Sequence, residues 1–397
     1  MAEWPRLGVL ATHPIQYHAP LFRALAARDD VELTVFFAHR PSAAEQGAGF
    51  GIPFEWDVDL TAGYRHEWLR NVSARPSVTD FGGCDTPEIG AAVDRHRLSA
   101  LLVMGWHSRS YLQGVAAALR RRIPVIVRGD SILQPHAPLG KRVLKRSLYP
   151  LFVRRFAACL SVGTRSEEYF RHYGARRVLR APHFVDNEFF AVRAAELRGG
   201  SGRVEARSAW RIPPEVPAYL FAGKFIPQKR VDTFVQALAI AAAHSGRPLV
   251  GLFVGDGALR QAAEAQARRL GVDARFVGFL NQREMPRAYA AADALVLPSA
   301  SETWGMVVNE AMASGLPTFV SSSVGCAPDL VTEGETGRTF QAGDAVGLAK
   351  LLASAAASPS QLGAMGARAA RAVLAFSADA AAEGVVQATR LVARATR

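Results

Sequence analysis

The chain lacks the cysteine patterns that cross-link small domains or bind zinc. Its 397 residues contain three cysteines, Cys84, Cys159 and Cys326, and none has CxxC spacing. Neither a disulfide framework nor a zinc site is therefore indicated, and a reducing cytoplasm fits. Long apolar runs are also missing, since no uncharged stretch reaches the ~18 residues that span a bilayer. The N-terminus has no long apolar region behind a basic start, so no secretory signal is expected.

Acidic residues are scarce relative to basic ones. There are 35 Asp and Glu against 47 Lys and Arg, which gives a formal net charge of +12. Such an excess favours an anionic partner, whether a nucleotide, an acidic lipid surface or a nucleic acid, and charge alone does not choose among them. Apolar residues make up 49% of the chain, and its length suffices for two domains with full cores. We expect a cytoplasmic globular protein whose membrane contact is at most peripheral.

Apolar strand-like runs alternate with amphipathic segments along the chain. The first series comprises residues 7–11, 31–37, 101–104, 125–127 and 159–162, and the second comprises residues 219–222, 249–254, 274–277 and 294–297. This rhythm predicts an α/β fold with doubly wound parallel sheets. Residues 41–87 are rich in Gly, Pro and aromatics and are interpreted as an irregular insertion. The polar stretch 198–203 and the Pro cluster 212–217 predict an interdomain boundary, which separates domains 1–195 and 196–379.

One segment carries two carboxylates at a strand–loop–helix junction. Residues 294–298 predict a buried strand, and residues 306–313 predict a helix that ends near Gly315. The N-terminal amides and dipole of such a helix suit a phosphate. Glu302 could then reach the rest of the ligand, and Glu310 could accept hydrogen bonds from vicinal hydroxyls such as those of a ribose. The alternative is that Glu302 caps the helix and Glu310 is solvated.

Two lysines follow the strand at residues 219–222. Lys224 lies on a tight turn and Lys229 at the opening of a helix, so that both could bind a diphosphate. An exposed basic turn is the alternative. Further along, Gly255 and the pair Gly278-Phe279 each follow a strand, where an ordinary turn would need the same residues.

The order of these motifs resembles family 4 of the retaining glycosyltransferases. The resemblance rests on Gly-Lys-x4-Lys, Val-Gly-Asp-Gly, Val-Gly-Phe and Pro-Ser-x-Ser-Glu, with Glu-x7-Glu and an aromatic-Gly pair, across nearly the whole C-terminal half. This chain has Lys224 where the family often has Arg, Arg230 where it often has Gly, and Trp304 where it often has Phe. The implied architecture is GT-B, with two Rossmann-like domains facing a central cleft. A C-terminal helix, here about 380–397, typically packs back on the first domain.

The resemblance also implies a retaining, metal-independent transfer of a hexose from a nucleotide diphosphate sugar to a hydroxyl acceptor. The expected setting is cell-envelope, exopolysaccharide or glycoconjugate biosynthesis. Lys224 and Lys229 would stabilise the leaving diphosphate, Glu302 would hold the sugar and Glu310 the ribose. The remaining donor-side candidates are the backbone amides of Thr303, Trp304, Gly305, Met306 and Val307, and the loops at Gly255, Gly278 and Phe279.

Candidates in the N-terminal half are fewer. His107 follows the strand at residues 101–104, where the family commonly has a sugar-contacting His, although a structural His is the alternative. The first loop lacks the family's Gly-Gly turn, and its His13, Gln16 and Tyr17 are candidates for acceptor contact. A strained polar turn is equally compatible with that loop.

Asp57-Val58-Asp59 matches a short Asp-x-Asp metal motif, but we expect neither metal nor cofactor because two lysines and a helix dipole can neutralise a diphosphate. Residues 140–155 interleave basic and apolar side chains, which suits an anionic membrane surface or a buried helix with a solvated basic face. An epimerase or phosphorylase of the same fold is the alternative activity. The basic residues are scattered and no nucleic-acid-binding module is recognised, so no nucleic-acid partner is expected.

Overall fold

The computed structural model describes residues 4–47, 51–134 and 138–394. The chain divides into two compact units. The first unit takes in Met1–Gln46, Asp59–His183 and Phe376–Arg397, and the second takes in Gly47–Val58 and Phe184–Ala375. Each unit is built around its own parallel sheet.

The first unit has a seven-stranded parallel sheet in the order β3-β2-β1-β4-β5-β6-β7. Its strands are β1 (Arg6–Ala11), β2 (Glu32–Phe37), β3 (His66–Trp68), β4 (Ala100–Val103), β5 (Val125–Gly129), β6 (Ala158–Ser161) and β7 (Val178–Arg180). Its first six helices are α1 (Ala19–Ala26), α2 (Ala43–Gln46), α3 (Ile89–Arg95), α4 (Arg109–Arg120), α5 (Leu139–Val153) and α6 (Thr164–His172). Val9 on β1 lies between Val35 of β2 and Leu102 of β4, and all three are fully buried. Helices cover both faces of such a sheet, which is why its central strand β4 is a continuous apolar run.

The second unit has a six-stranded parallel sheet in the order β10-β9-β8-β11-β12-β13. Its strands are β8 (Ala218–Ala222), β9 (Val250–Val254), β10 (Asp273–Gly278), β11 (Ala294–Leu297), β12 (Thr318–Ser321) and β13 (Gly337–Phe340). Its helices are α7 (Asn187–Gly199), α8 (Gly202–Ala209), α9 (Val231–Ser245), α10 (Arg260–Arg269), α11 (Met285–Ala291), α12 (Met306–Ala313), α13 (Ala327–Leu330), α14 (Ala345–Ala357) and α15 (Pro359–Ala372). A core of phenylalanines, including Phe221, Phe234 and Phe253, lies between the sheet and helices α9 and α14.

The last helix, α16 (Ala378–Arg394), belongs to the first unit, where it packs against α1. Arg390 on this helix donates to the carboxylate of Asp30 over 2.6 Å. No helix in the described part of the chain is long and apolar enough to cross a bilayer.

The predicted fold class, with two doubly wound parallel sheets, is confirmed. Three details differ from the expectations. The units divide at His183 and Phe184 rather than at residue 195, and residues 47–58 group with the second unit. The insertion at residues 41–87 contains α2 and the edge strand β3.

The polar stretch 198–203 is not an interdomain linker. It joins α7 to α8 inside the second unit, and its arginines bind backbone carbonyls of that unit. Arg198 donates to the carbonyl oxygens of Ser314 and Tyr289, and Arg203 pairs with Asp293 over 2.7 Å. These tertiary hydrogen bonds override a local composition that is typical of a flexible linker.

Candidate active site

The second unit has a topological switch point at strand β8. Its neighbours in the sheet are β9 on one side and β11 on the other, so the chain order reverses there. Ligands of doubly wound sheets bind outside the carboxyl ends of the strands at such a point. The loops that follow β8 and β11 carry the predicted residues Lys224, Lys229 and Glu302.

Lys229 and Glu302 form an ion pair at this switch point. The Nζ atom of Lys229 donates to Oε2 of Glu302, and the two side chains are only 15% and 20% exposed. The backbone amide of Ala300 donates to the carbonyl of Gln228 over 2.8 Å, which joins the two loops. The structure thus brings together two residues that lie 73 positions apart in the chain.

Lys224 lies close enough to Lys229 for their charges to interact. Burial of the Lys224 amine, and then the charge of Lys229, lower the pKa of Lys224. The arrangement therefore concentrates positive charge in a partly desolvated place. An anion bound there would stabilise the charged form of both amines, and a diphosphate has the charge and the length to contact two of them.

Arg230 occupies a position where the family often has glycine. Its φ is 50° and its ψ is 45°, which is the left-handed conformation that glycine favours. Its guanidinium binds both carboxylate oxygens of Asp232, each over 3.0 Å. This bidentate ion pair stabilises Arg230 in that conformation at the start of α9. The turn that carries Lys229 therefore forms without a glycine.

The loop that carries Glu302 is held by a second segment of the unit. Glu302 forms an isolated parallel bridge with Val324, and the amide of Gly325 donates to the Glu302 carbonyl over 3.0 Å. The amide of Cys326 donates to the Trp304 carbonyl over 2.9 Å. A Cβ atom on Gly325 would lie 1.8 Å from the Thr303 carbonyl oxygen, so only glycine allows this approach. Nothing in the sequence pattern had singled out residues 324–326.

Helix α12 begins directly after this loop. Gly305 is its N-cap, with a φ of 105°. By helix geometry the amides of Met306 and Val307 have no acceptor within the helix, and they lie at its positive end. Because Gly305 is the cap, the interpretation of Glu302 as a capping acid is wrong.

The side chains of Trp304 and Asn309 pack inside the unit. Trp304 is 3% exposed, and its Nε1 atom donates to Oδ1 of Asn309 over 2.8 Å. The indole therefore fixes the loop against the first turn of α12. Any ligand contact at Trp304 would therefore come from its backbone.

Glu310 is buried rather than solvated. It is 7% exposed, and the hydroxyl of Tyr289 donates to its Oε2 atom over 2.6 Å. Tyr289 lies on α11, and no sequence signal had indicated it. The hydrogen bond from the phenol orients the Glu310 carboxylate, which is compatible with a positioned acceptor for hydroxyl groups. The burial of Glu310 excludes the alternative of a solvated helix residue.

Backbone hydrogen bonds join the segments at the ends of β8, β9 and β10 into one continuous surface, which we call the floor of the site. The amide of Gly223 donates to the Val254 carbonyl over 3.0 Å, and the amide of Gly255 donates to the Gly278 carbonyl over 2.8 Å. Phe279 follows directly and is half-buried. Predicted positions Gly255, Gly278 and Phe279 are thus contiguous with the loop that carries Lys224.

The first unit has its own switch point at β1, which lies between β2 and β4. His13 follows β1 and His107 follows β4, and their charges interact. The Nδ1 atom of His13 lies 3.0 Å from Oγ1 of Thr12, and the exposed His107 ring meets Tyr111 edge-on with centroids 5.3 Å apart. Although His107 is partly open to solvent, burial by its neighbours lowers its pKa.

Gln16 and Tyr17 share the loop after β1 with His13. The loop turns through the Ile15 carbonyl, which accepts from the amide of His18 over 3.0 Å, and both side chains are half-buried. The four first-unit candidates therefore come from two adjacent strand ends.

His18 directly follows Tyr17, at the N-cap position of α1, and its side chain is half-buried. Burial, and then the charge of Arg128, lower the pKa of His18 to about 3. Its Nδ1 atom is buried without a hydrogen-bond partner among the described residues. Sequence reasoning had not selected His18, because burial of one imidazole leaves no local signal.

We expect acid to destabilise the protein through His18. Its folded pKa is below the unfolded value of 6.5, so its contribution to stability is present above pH 6.5 and is lost as the pH falls towards 3. Between pH 6 and pH 4 the loss approaches about 1.4 kcal/mol per pH unit. Urea titrations at several pH values in this range should show that the free energy of unfolding falls less steeply with decreasing pH for His18→Gln than for the wild type. His244→Gln, at an exposed position of the second unit, should leave the slope unchanged; equal slopes for all three proteins would contradict the assignment.

The carboxylates of the Asp-x-Asp motif are engaged by backbone amides. Oδ2 of Asp57 accepts from the amide of Arg283 over 3.0 Å, and Oδ1 of Asp59 accepts from the amide of Thr61 over 2.8 Å. Within the described ranges, no group of three or more His, Cys, Asp or Glu side chains could hold a metal ion.

Comparison with known proteins identifies the domain that carries the Lys229–Glu302 pair. Residues 203–372 match the family model of glycosyl transferases group 1. This span includes both loops of the switch point and all of α12. Residues 203–372 are a group 1 glycosyltransferase domain. The predicted family resemblance is confirmed at this level.

Curated relatives of the group 1 domain include the D-inositol 3-phosphate glycosyltransferase of Streptomyces avermitilis. It is 32% identical over 227 residues, which is 55% of this chain and 48% of that protein. The chain thus matches about half the length of such relatives. The sulfoquinovosyl transferase of Arabidopsis thaliana is 44% identical over 95 residues, which is 23% of this chain and 18% of that protein.

The fold likeness extends beyond the group 1 domain. The Anabaena protein HepE, crystallised with UDP, superposes with a TM-score of 0.70 at 18% identity and covers 96% of this chain and 98% of its own. At this identity the match establishes the fold, and it covers both units.

Proposed function

We propose that this chain is a retaining glycosyltransferase that moves a hexose from a nucleoside diphosphate sugar to a hydroxyl acceptor. The observation that carries the proposal is the switch point of the second unit, where Lys229 pairs with Glu302, Lys224 lies near Lys229, and α12 begins four residues after Glu302. The group 1 family of residues 203–372 supports it. The UDP of the Anabaena neighbour and the named activity of the Streptomyces relative agree with a nucleotide-sugar donor.

The proposed roles follow from the charges and contacts. The amines of Lys224 and Lys229 and the amides of Met306 and Val307 stabilise the negative charge that develops on the leaving diphosphate. Glu302 accepts hydrogen bonds from sugar hydroxyls, and the oriented Glu310 accepts them from the ribose. In the first unit, we propose that His107 contacts carbohydrate and that His13, Gln16 and Tyr17 contact the acceptor.

Retention in this proposal needs no covalent intermediate on Glu302. The carboxylate already pairs with Lys229, and a cation in contact with it lowers its nucleophilicity. Front-face attack by the acceptor hydroxyl, with the diphosphate leaving on the same face, gives the same anomeric configuration in product and donor. Proton NMR of the freshly formed product tests this. A product whose anomeric configuration is opposite to that of the donor would exclude the retaining mechanism.

We also propose that transfer is independent of metal ions. Two lysine amines and a helix N-terminus provide the positive charge that a divalent cation would otherwise supply. Activity should therefore persist in EDTA, and restoration of activity only by added Mg²⁺ or Mn²⁺ would contradict this part.

The donor can be found by a thermal-shift panel of nucleoside diphosphates and their sugars. A ligand that binds only the native state raises the unfolding temperature in proportion to its affinity. We expect one base to stand out, and no stabilisation by any nucleotide would sink the proposal. Incubation with the donor alone distinguishes the alternative activities, since an epimerase would convert it without an acceptor.

Helix α5 supports a placement of this enzyme at an anionic membrane surface, where cell-envelope acceptors are found. Five of its apolar side chains are more than half exposed: Leu139 at 73%, Val143 at 57%, Leu144 at 59%, Leu148 at 52% and Leu151 at 66%. Exposed apolar rows of this size are unusual on a soluble surface. On the other side of α5, Tyr149 and Phe152 pack against Trp106, and Val153 is fully buried.

The polar part of α5 carries positive charge. Arg142 and Arg146 are exposed, and residues 139–156 contain no acidic residue. The same two arginines, together with His172, line a cavity of about 270 Å³ beside the helix. A lipid phosphate could enter this cavity while the leucines lie among the acyl chains.

Vesicle co-sedimentation at low salt measures this contact. We expect the wild type to bind phosphatidylglycerol vesicles and not neutral phosphatidylcholine vesicles. The double variant Leu148→Ser and Leu151→Ser should bind phosphatidylglycerol vesicles at least about tenfold more weakly, because the burial of two leucines in the bilayer is lost. Leu374→Ser, at a leucine that is 60% exposed on the second unit, is the matched control. An unchanged wild-type distribution with anionic lipid would remove the membrane role.

A further inference from the structure

Residues 51–58 form an irregular segment that we call the strap. They belong to the second unit, although the chain up to Gln46 and from Asp59 to His183 belongs to the first. The strap contains no helix or strand. Its position therefore depends on contacts with another segment, which is the loop 279–284 between β10 and α11.

Two hydrogen bonds fasten the strap to this loop. Nδ2 of Asn281 donates to the carbonyl of Glu55 over 2.8 Å. The backbone amide of Arg283 donates to Oδ2 of Asp57 over 3.0 Å. Because one bond uses the strap's backbone and the other uses the loop's backbone, the register of the two segments is defined.

The strap also brings aromatic rings to the end of β10. The ring of Phe54 lies 4.5 Å from that of Phe279, centroid to centroid, with 32° between their planes. Trp56 meets Phe54 edge-on at 4.9 Å. All three side chains are half-buried.

This aromatic cluster lies within a nucleotide's length of the diphosphate site. Strands β8, β9 and β10 are consecutive in the sheet, and parallel strands lie ~4.8 Å apart, so Phe279 is about 10 Å from the loop of Lys224. The loops between them are joined by hydrogen bonds at Gly223 and Gly255. A nucleoside whose diphosphate lies on the lysines can extend over this floor to the rings.

Two acceptor atoms at the same contact have no hydrogen-bond partner in the described part of the chain. Oδ1 of Asp57 and Oε1 of Gln282 are buried and accept no hydrogen bond from any described residue. Buried acceptors are normally satisfied, and an unsatisfied one is costly. The ring N–H and amino groups of a nucleobase are donors that could satisfy them.

We propose that the strap is one wall of the nucleobase subsite and helps to select the base. Phe54 and Phe279 provide the stacking surface, and the carboxylate of Asp57 with the amide oxygen of Gln282 reads donors on the base edge. This inference rests on the proposed function, because it takes the diphosphate site at Lys224 and Lys229 as its starting point.

Isothermal titration of the full chain with UDP, GDP, ADP and inorganic pyrophosphate tests the strap. For the nucleoside diphosphate that the wild type binds best, Phe54→Ala should raise Kd about tenfold, in line with the loss of one base–aromatic stack. Pyrophosphate, which has no base, should bind both proteins equally. Asp57→Asn should change the ranking of the three nucleotides, because one acceptor becomes a donor.

Phe54→Leu keeps an apolar side chain, so it separates loss of the ring from loss of the strap; it should also weaken the nucleotide and leave pyrophosphate unchanged. Phe81→Ala, at a ring that is 52% exposed in the first unit, should bind like the wild type. Unchanged or tighter nucleotide binding by both Phe54 variants would overturn the strap proposal and leave the proposed function standing. A wild type that binds none of the nucleotides would overturn the proposed function itself.

Discussion

Replacing Lys229 by alanine is expected to lower kcat for sugar transfer about 100- to 1,000-fold, with a smaller effect on donor binding. The amine lies at the switch point, where it contacts Glu302 and adds to the charge of Lys224. Negative charge on the diphosphate grows as the glycosidic bond breaks, so a fixed cation stabilises the transition state more than the bound donor. Steady-state kinetics at saturating donor measures the effect.

A second substitution separates the role of Lys229 from that of its partner. Removal of the lysine leaves the Glu302 carboxylate, 20% exposed, without its cation. If that were the whole defect, Lys229→Ala would cause no further loss of turnover in a Glu302→Gln background; we expect it to lower kcat in that background as well. Lys350→Ala removes an exposed lysine from α14 and should leave kcat unchanged. Wild-type turnover by Lys229→Ala at saturating donor would end the leaving-group assignment.

The strands that build each sheet were predictable because they are buried on both faces. Strands β1, β8 and β11 are continuous apolar runs, as expected where helices cover both sides of a parallel sheet. Edge strand β3 was not predictable. It has three half-buried residues, His66 to Trp68, and its pairing depends on β2 rather than on its own pattern.

The site residues that directly follow a strand were predictable from the sequence. Those that are positioned by contacts with distant segments were not. The turns of Lys224 and Lys229 and the junction of Glu302 lie next to recognisable strands. By contrast, Tyr289, which orients Glu310, is one of several residues on α11, and its direction is set by how that helix packs. The pairing of Glu302 with Val324 is likewise a contact between segments without a local signal.

The glycine that closes the floor of the site is Gly255. Its φ is 121°, and a Cβ atom there would lie 1.9 Å from the carbonyl oxygen of Gly223. The obstacle is backbone, so no side chain can move aside to admit a methyl group. Its amide also donates to the Gly278 carbonyl, and displacement would separate the loops after β8 and β10.

Gly255→Ala should therefore destabilise the second unit by about 3 kcal/mol, the combined order of a disfavoured φ and an overpacked contact, and should lose nucleotide binding. Gly363→Ala is the matched control, because Gly363 lies in α15 with no atom within 4 Å of the added methyl group. It should raise stability slightly, since alanine favours helix by up to about 1 kcal/mol over glycine. Thermal unfolding with and without the preferred nucleotide distinguishes the two. Because the control adds the same methyl group, equal behaviour of the variants would mean that the close approach of Gly255 to Gly223 neither supports the fold nor shapes the site.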